Sequence, residues 1–392
     1  MLDFDTALSR LLLAARVSSG VDVLPLNQAN GRVLSHDVVS QIAVPSFDNS
    51  AMDGYALHIG DAWPDSFKVV QRIVAGEVGQ ALNVGEAARI FTGAPIPAGA
   101  NVVVMQEDCR AMDGQVYIAA PLELGSNIRL RGEDIAAGSV ILPAGTRLSP
   151  VAIGLAASIG IAELSVKQRL RVGLLSTGDE LVEPGQPLGA GQIYNSNRYA
   201  LTALLDDCLI TDLGIVPDDA ELTRDILQTA AKQHDVLITS GGVSVGEEDH
   251  VKGAVEQLGH LDLWKIAIKP GKPFAYGRIG DCDFIGLPGN PVSSLVTFLL
   301  LVRPFLLARL ACLKLKPIRF KLMAAFDWKK AGNRREFLRG RLNEQGHVEI
   351  YPQQGSGVLT SLVWGDGLVD IAAGETIKLG DSVQFIPFHS MR

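Results

Sequence analysis

From Leu170 onward, short apolar runs alternate with segments long enough to be helices, and this pattern constrains the chain more than any other. "RVGLLST" precedes a helical pattern around 197–208, "LITDLGIV" one around 219–233, "DVLITS" one near 250–258 and "DFIGL" one over 292–310. Such alternation predicts a doubly wound, mostly parallel sheet with helices on both faces. In these sheets ligands bind beyond the carboxyl ends of the strands. Three loops on that edge look specialised. "LLSTGDEL" puts Ser176, Thr177 and Gly178 at a strand end with Asp179 and Glu180 just beyond. "ITSGGVSVGEEDH" opens on Ser240, Gly241 and Gly242, and "GLPGNPVSS" runs through Pro288-Gly289-Asn290-Pro291 into a helix whose first N–H groups can accept an anion. One Gly-rich turn is often only a turn. Three on one edge point to a bound molecule.

The second loop contains a conflict. Its glycines would offer backbone N–H groups to a phosphate, yet Glu247, Glu248 and Asp249 follow within a few residues. Those carboxylates would repel the phosphate unless a third party sits between them. A lysine turn adds to the puzzle, because "WKIAIKPGKPF" places Lys265, Lys269 and Lys272 within eight residues. Clustered charges are usually a solvated edge. Here Lys269 and Lys272 flank Pro270-Gly271, with Pro273 following, a stiff turn that fixes where the ammonium groups point. Fixed cations suggest an oxyanion.

Several enzyme classes are disfavoured. Neither a Walker A sequence nor a G-x-G-x-x-G occurs, which argues against an ordinary NTPase or dinucleotide dehydrogenase. Gly242-Val243-Ser244-Val245-Gly246 matches G-x-S-x-G formally. The acidic run after it opposes a developing oxyanion, so a hydrolase triad is not expected.

At 392 residues the chain is long enough for two to four domains at roughly 100–200 residues each. Residues 1–44 open with "MLDFDTALSRLLLAARV", an amphipathic helix pattern carrying Asp3 and Asp5 where a signal peptide would carry positive charge. Residues 45–137 are rich in Gly and Pro with short alternating apolar runs, as in an inserted β-rich module. Residues 138–168 contain Ser149-Pro150, a good start for a small-residue helix. That helix could pack with the N-terminal segment, making 1–44 and 138–168 one discontinuous linker domain. Residues 169–312 form the α/β domain, and 313–392 return to short strands, consistent with a small C-terminal β barrel.

The net charge of −8 argues against a sequence-independent grip on nucleic acid. Cys109, Cys208, Cys282 and Cys312 are widely separated and form no C-x-x-C pair, so a reducing cytoplasm is expected. The apolar run Leu295–Val302 ends at Arg303-Pro304, far short of the ~20 residues that span a bilayer, so no membrane segment is expected.

"FDNSAMDGYA", "FTGAPIPAGA", "RGED", "STGDEL", "ITSGGVSVGEED", "KPGKPFAYG" and "GLPGNPVS" occur in one order along essentially the whole chain. In that order they resemble the molybdopterin molybdenumtransferases, the molybdenum insertases that also form the C-terminal part of gephyrin. The resemblance implies insertion of molybdate into adenylylated molybdopterin, release of AMP by cleavage of the pyrophosphate link, and assistance by Mg²⁺. A divalent cation between carboxylates and pyrophosphate resolves the conflict in the second loop. By motif, Glu180 and Asp249 are the acidic residues of the central module and the candidate metal ligands. Asp53, Thr92 and Asp134 resemble the catalytic residues that a partner subunit contributes, so a homodimer with its site at the interface is implied. Ser240, Gly241, Gly242, Ser244 and Asn290 would hold pterin and phosphate groups. Lys265, Lys269 and Lys272 would draw in molybdate, with Arg339 of "REFLRG" and Ser356 of "QGSG" adding to the oxyanion site. A molybdopterin adenylyltransferase and cofactor-accepting proteins are implied as partners. In the last module "WGDGL" departs from the Asn-containing turn expected there.

Two other functions are compatible with parts of the pattern. A nucleotide pyrophosphatase would use the carboxylates and Mg²⁺ without the lysine turn, and a pterin-binding scaffold would bind without turnover. The presence of Asp53, Asp134, Glu180 and Asp249 favours an active enzyme.

Overall fold

The computed structural model describes the chain except for Leu122, residues 243–249, Ala331 and Arg392, and except for the side chains of Leu263 and Trp264. Ser244 and Asp249 therefore lie outside the described residues.

The alternating segment forms a six-stranded sheet in the order Leu209–Val216, Arg171–Thr177, Val236–Ser240, Cys282–Leu287, Pro273–Ile279, His260–Lys265. The first four strands are parallel to one another, and Pro273–Ile279 runs antiparallel to both of its neighbours. Strands Val236–Ser240 and Cys282–Leu287 are buried at every position, as strands covered on both faces must be. Parallel register brings Ser176, Ser240 and Leu287 side by side. The three loops therefore leave the sheet at one edge, next to one another. The helical run Pro291–Arg309 is long and apolar enough to cross a membrane, but 89% of its apolar window is buried within the protein. It is the core helix of this part of the molecule, with five residues, Phe298–Val302, in π-helical turns.

The N-terminal helix, Phe4–Ala14, is capped by Asp3, whose carboxylate accepts from the amides of Asp5 and Thr6. It buries Phe4, Ala7, Leu8 and Leu11, the i, i+3, i+4, i+7 stripe of an amphipathic helix. This stripe packs into the core that the helical run Pro291–Arg309 shares with the six-stranded sheet. The helix Pro150–Ser158 packs instead with Ala29, Leu34, Val38 and Leu142. Segments on both sides of 45–137 thus share an apolar cluster, but the N-terminal helix is not part of it. The reason lies in side-chain size: Phe4 and Leu11 fill space in a large core, whereas Ala152 and Ala156 allow only a close approach.

Residues 45–137 contain a second six-stranded sheet, ordered Val102–Met105, Gly54–Leu57, Glu86–Ile90, Phe67–Ile73, Gln115–Ile118, Cys109–Met112. A third runs from Ile268–Lys269 through Arg335–Leu342, Gly367–Ile371 and Ser382–Pro387 to Phe320–Met323. Among the described residues no strand pairing joins the two ends of that third sheet. Its first strand comes from the lysine turn.

Candidate active site

At the carboxyl edge of the central sheet the three loops enclose a cleft of about 560 Å³. Glu180, Ser240, Gly241, Gly242 and Asn290, five of the residues expected at the site, line it. Glycine makes this closeness possible. Gly241 and Gly242 have φ of 96° and 67°, and a Cβ on Gly242 would stand 2.7 Å from both Thr177 Oγ1 and Val251 Cγ2. The first two loops therefore meet backbone to side chain. Gly178 has φ 134°, and a Cβ there would fall 2.3 Å from Glu180 Oε2. The Glu180 carboxylate folds back over its own loop because residue 178 has no side chain.

A fourth wall comes from residues that the sequence reading does not single out. Leu181–Val182 pairs in parallel with Ile193–Tyr194, which brings "NSN" (Asn195–Asn197) over the first loop. Asn195 caps the helix Ser196–Leu204 by accepting from the Arg198 amide at 3.3 Å. Asn197 donates to Ser240 Oγ at 2.8 Å and to the Gly289 carbonyl at 2.6 Å. One buried amide thus ties the second loop to the third. Asp218 also lines the cleft, its amide donating to Asp179 at 3.2 Å. The available signal was the pair of asparagines flanking a serine before a helix, an ordinary capping pattern that conceals the wall it builds.

The opening turn of the Pro291 helix is largely occupied. Pro291 has no N–H, Val292 donates to the Ser356 carbonyl at 3.0 Å and Ser294 to Asn290 at 2.9 Å. Ser356 therefore touches the site through its backbone. Arg339, expected at an oxyanion site, has no accessible surface. Its guanidinium donates to Ser361 Oγ at 2.9 Å, the Gly355 carbonyl at 3.1 Å and the Phe337 carbonyl at 3.4 Å. Burial lowers its pKa to about 10. In this arrangement it braces the 355–356 turn against the Pro291 helix.

The lysine turn borders the cleft through Pro273, and none of its three lysines lines it. Lys265 and Lys272 are exposed. Lys269 is paired with Glu336 at 3.2 Å. Among the described residues no group of three or more His, Cys, Asp or Glu forms a metal-binding cluster. Among the described residues the carboxylates within the cleft are Glu180 and Asp218.

Asp53, Thr92 and Asp134 are exposed and do not line the cleft of their own chain. Asp53 Oδ1 accepts from the Thr92 amide at 2.8 Å and hydroxyl at 2.7 Å. These bonds, the amide first, hold its carboxyl below the usual range. The "RGED" turn is fixed by bonds to an earlier segment, Arg131 N–H donating to Asp48 at 2.7 Å and Gly132 N–H to the Pro45 carbonyl at 2.9 Å.

Family models match in three consecutive blocks: the MoeA N-terminal region (domain I and II) over 2–160, a probable molybdopterin binding domain over 173–308, and the MoeA C-terminal region (domain IV) over 321–388. The chain is 43% identical to the molybdopterin molybdenumtransferase of Haemophilus influenzae, covering 97% of this chain and 98% of that one. It is 38% identical to molybdopterin molybdenumtransferase 2 of Mycobacterium tuberculosis, over 91% and 94%. A solved structure of the molybdopterin biosynthesis MoeA protein from Pyrococcus horikoshii OT3 superposes with a TM-score of 0.86 at 28% identity, covering 99% and 100%. Every residue that lines the cleft, from Thr177 to Ser293, lies within the block similar to the molybdopterin binding domain.

Proposed function

Because the chain belongs to the MoeA family of molybdopterin molybdenumtransferases, enzymes of molybdenum cofactor biosynthesis, we propose that it inserts molybdate into adenylylated molybdopterin and releases AMP. The observation that carries this reading is the convergence of the three strand-end loops on one cleft of about 560 Å³. On this reading the chain works as a linker domain (1–44 and 138–168), an inserted β-rich domain (45–137), a molybdopterin-binding domain (169–312) and a C-terminal β-barrel domain (313–392).

Ser240, Gly241, Gly242 and Asn290 hold the pterin and phosphate groups, with Ser244 assigned to the same cradle. Asn197 keeps Ser240 and the Gly289 carbonyl in register, so the cradle is formed before substrate arrives. Water adds across the phosphoanhydride link, giving AMP and the molybdopterin phosphate. Glu180 and Asp249 are assigned to hold Mg²⁺. The described donors suit it, since Glu180 and Asp218 offer carboxylate oxygens in the same cleft and Mg²⁺ takes one or two carboxylates together with substrate phosphates. When bound, the cation neutralises charge on the phosphates and polarises the link that breaks. The lysine turn supplies positive charge for molybdate at the cleft border, while Arg339 and Ser356 support its wall.

Asp53, Thr92 and Asp134 complete the site from a second subunit, a reading supported by their exposure and by their absence from the cleft of their own chain. A molybdopterin adenylyltransferase delivers the substrate and cofactor-accepting proteins take the product. Four free cysteines are in keeping with a reducing cytoplasm.

The test is AMP release from adenylylated molybdopterin by the purified protein, without oxygen, with Mg²⁺, and with or without molybdate. Molybdate-stimulated release, with product that reconstitutes an apo-molybdoenzyme, is the expected result. Release indifferent to molybdate would make the protein a pyrophosphatase, and tight binding without release a scaffold.

A further inference from the structure

The fourth wall of the cleft carries an aromatic ring that the three strand-end loops lack. Tyr194 ends the short strand Ile193–Tyr194, where it stands opposite Val182. Its hydroxyl donates to the Gln186 carbonyl at 3.0 Å, so the side chain is tethered at its far end as well as at the backbone. The turn that receives it is closed in its own right, Gln186 N–H donating to the Glu183 carbonyl at 3.2 Å. A ring held in this way has little rotamer freedom left to lose on binding. Yet 45% of the residue's surface is open, and among the described residues it is the one aromatic that lines the cleft.

Tyr199, in the helix Ser196–Leu204, shows a different use of an exposed tyrosine. Its hydroxyl donates to Glu183 at 3.0 Å, the Arg198 guanidinium lies 5.5 Å from its ring centre, and it does not line the cleft. One face of that ring is already taken by a cation. Among the described residues neither a cation nor another ring packs on Tyr194. The charged residues described in the cleft are both acidic, Glu180 and Asp218. A neutral ring entering there gains affinity from contact rather than from charge, and Tyr194 offers the flat surface for it.

We propose that Tyr194 is the stacking platform for a planar heteroaromatic ring of the substrate, the adenine or the pterin. The proposal rests on the reading above in taking a pterin nucleotide as that substrate. Both rings present a π-face, and stacking on tyrosine is tolerant of which ring it receives. Backbone N–H groups of the second loop hold phosphates at one end, and a fixed ring at Tyr194 holds the molecule at a second point. Two anchors orient the link between them, which one anchor would leave free to turn. A compound with the phosphate and no ring should therefore ignore Tyr194.

Calorimetric titration of AMP, of unsubstituted pterin and of ribose phosphate into the full-length protein tests this in wild type, Tyr194→Phe and Tyr194→Leu. Loss of the ring in Tyr194→Leu should weaken AMP, pterin or both about tenfold or more and leave ribose phosphate unchanged. The ligand that weakens identifies the ring that stacks. Tyr194→Phe, which keeps the flat face and loses the tether, should stay close to wild type. A folded Tyr194→Leu protein that binds AMP and pterin as tightly as wild type, or a wild type that binds neither, overturns the proposal. Equal weakening in Tyr194→Phe and Tyr194→Leu overturns it too, because the hydroxyl would then carry the effect. Should Tyr194→Leu fail to fold, proton spectra of the wild type decide, with the Tyr194 ring signals identified by comparison with Tyr194→Phe. AMP or pterin should move them upfield and leave Tyr199 nearly still, and unmoved Tyr194 signals overturn the proposal. Binding that follows this pattern without molybdate-dependent AMP release would sink the insertase reading and leave the role of Tyr194 standing.

Discussion

The central cleft and the Asp53–Thr92 pair are both built from loops at strand ends, yet they differ in what holds them. In the cleft, Asn197 and Ser240 are at least nine-tenths buried and tied by bonds of 2.6–2.8 Å that cross between loops. Asp53 and Thr92 are exposed, and the bonds they make are to each other. A buried, cross-linked set of polar groups is complete in one chain, whereas an exposed pair of fixed geometry is prepared for something outside it. On the proposed reading, the contrast separates a half-site formed within one chain from a half-site presented to a second subunit.

The largest expected effect tests the formed half. Glu180→Ala should lower AMP release about a hundredfold or more while leaving the melting temperature close to wild type, because the side chain is exposed at the cleft. Undiminished release would remove Glu180 from the chemistry. Asp53→Asn should also depress release, and mixing it with Glu180→Ala subunits tests whether the halves meet across an interface. Random reassortment of a two-fold dimer yields one intact site in half of the dimers, so about a quarter of wild-type activity should return. No recovery on mixing would place both halves in one chain.

A smaller effect separates architecture from chemistry. Asn197→Ala removes two hydrogen bonds and leaves the Gly289 carbonyl without its donor. It should cost about 2 kcal/mol in urea unfolding, together with a loss of AMP release that saturating substrate only partly restores. A variant as stable as wild type would show that the cleft is not cross-linked by this residue.

The parts legible in the sequence are those whose signal is local. Strand–helix alternation places "STGDEL", "TSGG" and "LPGNP" on one edge, and the cleft indeed gathers Glu180, Ser240, Gly241, Gly242 and Asn290. What escaped depends on pairings between distant segments. The Lys269–Glu336 pair spans 67 positions and follows from a two-residue strand that no periodicity reveals. Arg339 reads as a ligand in "REFLRG", and its bonds to acceptors at 355 and 361 come from segments that only the folded last sheet brings to it. Asn195 and Asn197 carry a capping pattern locally, and their second use appears only when Leu181–Val182 pairs with Ile193–Tyr194. The N-terminal helix was recognisable as amphipathic, but the core that receives its stripe was not, because any large apolar surface would satisfy the same pattern.

The smallest effect concerns the presented half. Asp53 titrates below the ordinary carboxyl range mainly because the Thr92 amide, and then the Thr92 hydroxyl, donate to its charged form. Thr92→Val deletes the hydroxyl and keeps the amide, so the Asp53 pKa should rise part of the way toward its ordinary value of 3.8. A carboxyl depressed in the folded state contributes stability above its unfolded pKa and loses it as pH falls through the folded one. The turn should therefore be steadied at neutral pH and released only below about pH 4. Thr92→Val and wild type should differ slightly at neutral pH and converge in acid, with carboxyl-carbon NMR following Asp53 directly. An unchanged Asp53 titration would mean that the amide alone sets the charge.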